Sequence, residues 1–151
     1  TDLDCMVSLL GKLQERKKVV VHLVGAGESL ELLTQRFKEK GIEVICYGIV
    51  YDQNKLQTIF DKCSWGINMI KDDLAIGITM KSVTYFLGGV PILNTVPGDT
   101  ERFVENRNVG ININRTSLEE TVDKIMQLTQ NDIVEMKQNA VRLYQDVFYT
   151  E

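Results

Sequence analysis

The sequence predicts an α/β protein: a doubly wound parallel sheet with two closing C-terminal helices. Three observations carry this. Five short runs rich in β-branched residues, among them "VVVHLVG", "IEVICYG" and "VPILN", are each separated from the next by one helix-patterned segment. The runs are continuously apolar rather than alternating, as strands covered on both faces are. The chain then closes with two consecutive helical patterns and no strand between them.

The elements follow in order. Leu3, Met6, Val7, Leu10 and Leu13 recur at spacings of three and four, which predicts an amphipathic helix that ends near the basic stretch 15–18. A strand over 19–25 runs into Gly25-Ala26-Gly27, and the helix behind it places Leu30, Leu33 and Phe37 on one face before stopping at Gly41. The pattern repeats as strand 42–48, helix 52–63 with Leu56, Ile59 and Phe60, and strand 65–70. Helix 79–89, strand 90–94, helix 99–108 and strand 109–114 come next. Thr116 and Glu119 have capping-box spacing ahead of a helix at 118–130, and 131–148 forms the last helix. Right-handed crossovers make such a sheet doubly wound. No repeat or Pro-rich linker divides the chain, so residues 1–151 read as a single domain.

Composition excludes several classes. The 151 residues are 44% hydrophobic and 25% charged, enough for one ordinary core. A net charge of -4 without a block of like charges argues against nucleic acid as a partner. Cys5, Cys46 and Cys63 are widely spaced and odd in number, which suits reduced, buried thiols and a cytoplasmic protein. The longest apolar run contains His22 and falls far short of the ~20 residues of a spanning helix. His22 reads as a packed strand residue, Trp65 as core packing, and Cys63 as no nucleophile. No cluster of acids, His and Cys has metal-ligand spacing, so no metal is expected.

In an open parallel sheet a ligand sits beyond the carboxyl ends of the strands. That rule selects the loops 25–29, 48–54, 71–81 and 94–100. Gly25 and Gly27 let backbone approach a ligand, yet by themselves they fit a tight strand-to-helix turn equally well. "GAGESL" lacks the third glycine of the dinucleotide fingerprint, and no acid closes the next strand, which disfavours a dinucleotide-dependent oxidoreductase. Thr79 can cap the following helix, with the amides of Met80 and Lys81 directed outward. Lys81 puts a cation at a helix N-terminus, where it costs stability unless an anion answers it, whether Asp72, Asp73 or a bound diphosphate. Thr84 lies one turn on, on nearly the same face.

The succession "VVVHLVGAGE", "IEVICYGIVYDQNKLQTIFDKCSWGINMI", "KSVTYFLGGVPILN" and "GDTERFVENRNVGININ" resembles the C-terminal half of a retaining GT-B glycosyltransferase of the Glu-x7-Glu group, from about Val19 to the end. The resemblance implies a Rossmann-like domain that binds a nucleoside-diphosphate sugar as substrate, with no further cofactor. It implies that Gly25 and Gly27 lie in the donor-side turn and that Ile49, Val50 and Leu56 line the base pocket. Thr79, Met80 and Lys81 would hold the diphosphate, and Thr84 stands where the family keeps a ribose-binding Glu. The motif's first Glu would fall at Ile76, so both acids are replaced.

The family's first strand of this half, and its whole N-terminal acceptor domain, would precede Thr1. The resemblance therefore implies a fragment, inactive alone, of an enzyme that transfers a sugar to a glycan or lipid-linked acceptor in polysaccharide biosynthesis. The full-length protein would be cytoplasmic, with peripheral association at the inner face of the membrane. The competing reading is a non-catalytic Rossmann-like interaction module that has lost the ligand site.

Overall fold

The computed structural model of the chain describes residues 3–69 and 80–149, the side chains at 80 and 81 excepted. Strands and helices alternate as the apolar runs require. Helix α1 (Leu3–Gln14) leads into β1 (Val20–Leu23), α2 (Glu28–Glu39), β2 (Glu43–Cys46) and α3 (Gln53–Asp61). Then come β3 (Gly66–Asn68), α4 (Met80–Leu87), β4 (Ile92–Asn94), α5 (Asp99–Arg107) and β5 (Gly110–Asn112). The chain closes with α6 (Leu118–Gln127), α7 (Gln130–Leu143) and one π-helical turn, Tyr144–Phe148.

Every strand pair is parallel, but the ladder is not continuous. Strands β1 and β2 form one two-stranded sheet, and β3, β4 and β5 form another with β4 in the middle. The parallel α/β architecture is as expected; the ladder is divided, because among the described residues β1 and β3 do not pair, and an apolar cavity of about 770 Å³ has walls from both strands.

Helices cover both faces of the three-stranded sheet, while β1 and β2 remain partly exposed. On one side α1 packs on α2 and α6, and Leu9, Leu10, Phe37, Leu93 and Val122 share a core. On the other, α4 and α5 pack on α7, and Phe86, Ile92, Val109 and Leu143 form a second core that Phe103 and Phe148 extend. The Phe103 and Phe148 rings meet edge to face at 5.8 Å, which explains why the chain continues past α7 for one more turn.

Local chemistry corrects two further expectations. Thr116 does not cap α6: its hydroxyl donates to Asn114 Oδ1 at 2.6 Å, Ser117 occupies the N-cap position without a side-chain bond, and Glu119 reaches Lys12 at 3.1 Å instead. The capping box belongs to α7, where Asp132 N donates to Thr129 Oγ1 (3.1 Å) and Thr129 N to Asp132 Oδ2 (2.8 Å). Cys46 is exposed because β2 is an edge strand, while Cys5 and Cys63 are half-buried.

At the β4–β5 contact the two backbones leave no room for a side chain. A Cβ on Gly110 would stand 2.0 Å from the Ile92 carbonyl oxygen, a backbone atom of a paired strand that cannot turn aside. Gly110→Ala is expected to destabilise the domain by about 3 kcal/mol, read from the urea midpoint, through separation of β5 from β4.

Candidate functional site

Gly25 and Gly27 follow the carboxyl end of β1, Ile49 and Val50 follow that of β2, and Leu56 and Thr84 lie on α3 and α4. Gly25 adopts φ +129°, and its amide donates to the Gly48 carbonyl at 2.7 Å, so the glycine turn and the loop after β2 are tied together. Gly27 precedes α2 at φ +123° and ψ 169°, a conformation open to glycine, and a Cβ there would meet nothing within 4 Å. Gly27 therefore faces open space, whereas a Cβ on Gly25 would stand 2.9 Å from Leu30 Cδ1. No side chain caps α2, and Glu28 and Glu31 supply negative charge in its first turn.

The loop after Gly48 is held at its far end by Asp52, whose carboxylate accepts from the amides of Asn54 (2.8 Å) and Lys55 (3.4 Å). Ile49 is 58% exposed and Val50 half-buried; of the three residues expected to line a pocket for a base, Leu56 is the one that lines the cavity. Thr84, exposed on α4, lines that cavity too, beside Ser29 and Leu30 at the start of α2. Thr79, Ile76 and the loop 71–79 lie outside the described residues, and Met80 and Lys81 are described as the first backbone positions of α4.

His22 sits half-buried in β1. Its Nδ1 is 2.8 Å from the Tyr47 hydroxyl, and the two rings stack at 5.8 Å. Burial, with the Lys62 ammonium second, lowers its pKa, so the ring stays neutral and packed, as its place in mid-strand predicts. Burial pushes the Cys63 thiol up, and its Sγ donates to the Ile59 carbonyl at 3.3 Å, both of which favour the protonated thiol. The Tyr85 ring packs on Gly66, and its hydroxyl donates to the Ile67 carbonyl at 3.3 Å; burial holds the phenol at about 12.

One group of residues escaped sequence reasoning. Asn68, Asn94 and Asn112 stand in register at the ends of β3, β4 and β5. Asn68 Nδ2 donates to Asn94 Oδ1 (2.8 Å), Asn94 Nδ2 to Asn112 Oδ1 (3.0 Å), and Asn112 Nδ2 to the Glu101 carbonyl (3.1 Å). Asn94 also binds both the amide and the carbonyl of Val96, which shapes the loop into α5. The signal was present as three apolar runs that each carry an Asn after Ile or Leu. Among the described residues no three acids, His or Cys are arranged to hold a metal, and no helix is long and apolar enough to cross a membrane.

No protein-family model matches the sequence, and no curated protein matches it either. Among solved structures, the catalytic domain of cholesterol-alpha-glucosyltransferase from Helicobacter pylori superposes with a TM-score of 0.70 over 96% of this chain and 89% of that one, at 14% sequence identity. The chain has the fold of a GT-B glycosyltransferase domain. In that fold the turn at Gly25 follows β1, the loop at Gly48 follows β2, and α4 follows β3.

Two measurements check this geometry. Because the fold favours neutral His22, its contribution is fully present above the ordinary histidine pKa of about 6.5 and declines as pH falls through and below that value. The Tm should therefore drop between about pH 7.5 and about pH 5.5, and His22→Gln should flatten part of that slope. Asn94→Ala strands the partners of a fully buried amide and is expected to cost about 3 kcal/mol in urea unfolding.

Proposed function

We propose that this chain is the donor-binding domain of a retaining glycosyltransferase that moves a sugar from a nucleoside diphosphate to a glycan or lipid-linked acceptor. The observation that carries the reading is that Ser29 and Leu30, behind the Gly25–Gly27 turn, line the same cavity as Leu56 and Thr84. Loops that follow the carboxyl ends of parallel strands are where such a sheet takes its ligand. The fold likeness to the catalytic domain of a cholesterol-alpha-glucosyltransferase supports the same class.

Each residue then has a physical task. Gly25 and Gly27 admit backbone to the donor, and Ile49, Val50 and Leu56 border the base. Thr79, Met80 and Lys81 offer amides and a positive charge to the diphosphate. Thr84 replaces a charged acceptor with a neutral hydroxyl, and charge-assisted bonds are roughly twice as strong, so ribose is held less firmly than by a Glu. The acceptor would be held by a second domain of the same enzyme, without which this chain binds donor and transfers nothing. A lipid-linked acceptor would bring the full-length protein, as a peripheral protein, to the cytoplasmic face of a membrane.

Calorimetry with UDP, GDP and TDP and their sugars tests the reading. At least one should bind at up to millimolar concentration, Lys81→Ala should weaken it about tenfold, and Thr84→Glu should tighten it. No heat and no thermal shift with any of them would sink the proposal in favour of an interaction module that keeps the fold without the ligand.

A further inference from the structure

The outer edge of β2 and the flank of α2 beside it form one surface without a partner among the described residues. Tyr47 N donates to the Leu23 carbonyl, so Tyr47 addresses β1, and alternation along the strand gives Glu43 and Ile45 the same direction. The backbone groups of Val44 and Cys46 therefore point away from the sheet, where no described strand takes them up. Proteins commonly blunt such an edge with Lys, Pro or a bulge. This one has none of the three: its residues read Glu-Val-Ile-Cys, in unbroken register with β1. Cys46 is exposed, and Ile45 is 37% exposed.

Cys46 Sγ lies 3.7 Å from Thr34 Oγ1, which places the flank of α2 alongside this edge. Glu31, Thr34, Gln35 and Lys38 share that flank at helical spacing, and with Cys46 they line a shallow groove. The flank is acidic at its start, basic at its end and neutral between. Glu31, Gln35 and Lys38 are exposed, and among the described residues no ion pair engages Glu31 or Lys38.

We propose that this surface joins two copies of the chain by antiparallel pairing of β2 with β2, about a two-fold axis perpendicular to the sheet at Ile45. The outward groups fit that register: Val44 of each copy would exchange both backbone hydrogen bonds with Cys46 of the other. The two Ile45 side chains would meet at the axis, and Glu43 would stand opposite Tyr47, so no like charges oppose along the strands. The same axis matches the helices. Leu33 and Phe37 of α2 share a core with Val44 of β2 and with Val21 and Leu23 of β1, so α2 lies over this strand pair. At the usual strand spacing the two α2 helices would then stand about 10 Å apart, an ordinary packing distance. They would run antiparallel, bringing Glu31 of each copy within reach of Lys38 of the other, with Thr34 and Gln35 between. A patch that is its own complement under a two-fold is what an isologous interface requires, which favours a second copy over an unrelated strand.

Sedimentation of the chain over a range of concentrations tests this. A dimer is expected, with a dissociation constant on the order of 10 μM, as suits a small interface. Glu31→Lys and Lys38→Glu should each weaken it about tenfold, and the two together should restore it to within about twofold. Both side chains are exposed, so the substitutions leave the core intact. Hydrogen exchange at the Val44 and Cys46 amides should slow as the dimer forms. A monomer at every concentration up to about 1 mM would overturn the inference. So would a dimer that the charge reversals leave untouched, since its contact would lie elsewhere. None of these readouts involves a sugar nucleotide, so the result stands apart from the donor-binding test.

Discussion

The side chain of Asn94 makes every hydrogen bond an amide can make. It donates to the Val96 carbonyl and to Asn112 Oδ1, and accepts from Asn68 Nδ2 and the Val96 amide, all between 2.8 and 3.1 Å in a residue that is 1% exposed. Desolvating an amide is costly unless it is fully paired, so this arrangement is stable in one register alone. A slip of one residue in β3 or β5 would leave polar groups unpaired inside the core and reverse the faces of the strands. Asn94 thus fixes the alignment of three strands and the direction of the loop that leads into α5. The loops after these strands inherit their positions from it.

The helices on the two faces depend on that aligned sheet for different reasons. Phe86, Ile92, Val109 and Leu143 bury one face of the three-stranded sheet completely, with Phe148 brought in by the π-helical turn. On the opposite face, α1 bridges the two sheets: its Leu9, Leu10 and Leu13 pack in one cluster with Leu33 and Phe37 from the β1–β2 side and Leu93 from β4. The ion pairs Lys12–Glu119 and Arg16–Asp123 between α1 and α6 are exposed, and exposed pairs contribute little. Apolar packing holds α1 in place, which is why a sheet with an open seam still carries a continuous helical layer above it.

Much of this architecture was legible in the residues. The continuous β-branched runs located all five strands and required helices on both faces, and the spacing of Leu3, Met6, Leu10 and Leu13 located α1. The seam was not legible. An apolar run such as that of β1 declares that its faces are covered and says nothing of what pairs with its edges, because hydrogen-bonding partners come from distant parts of the chain. The caps failed for a local reason: Thr116 and Thr129 both precede helices, but Asn114 captures the first hydroxyl and Asp132 completes a box with the second. At the candidate site the glycine turns were legible because positive φ selects for glycine. The exposure of Ile49 was not, since a loop residue outside any periodic pattern carries no signal of direction.

The 2.7 Å bond from the Gly25 amide to the Gly48 carbonyl has a mechanical consequence. It lies one step beyond the last paired residues of β1 and β2, so the sheet extends into the two loops before they diverge. The segments that leave it, one entering α2 and the other entering α3, begin from a common clamp and cannot slide past each other. Their separation is a fixed gauge, set by strand spacing rather than by whatever molecule lies above them. Both loops therefore start from positions that the strand pairing sets.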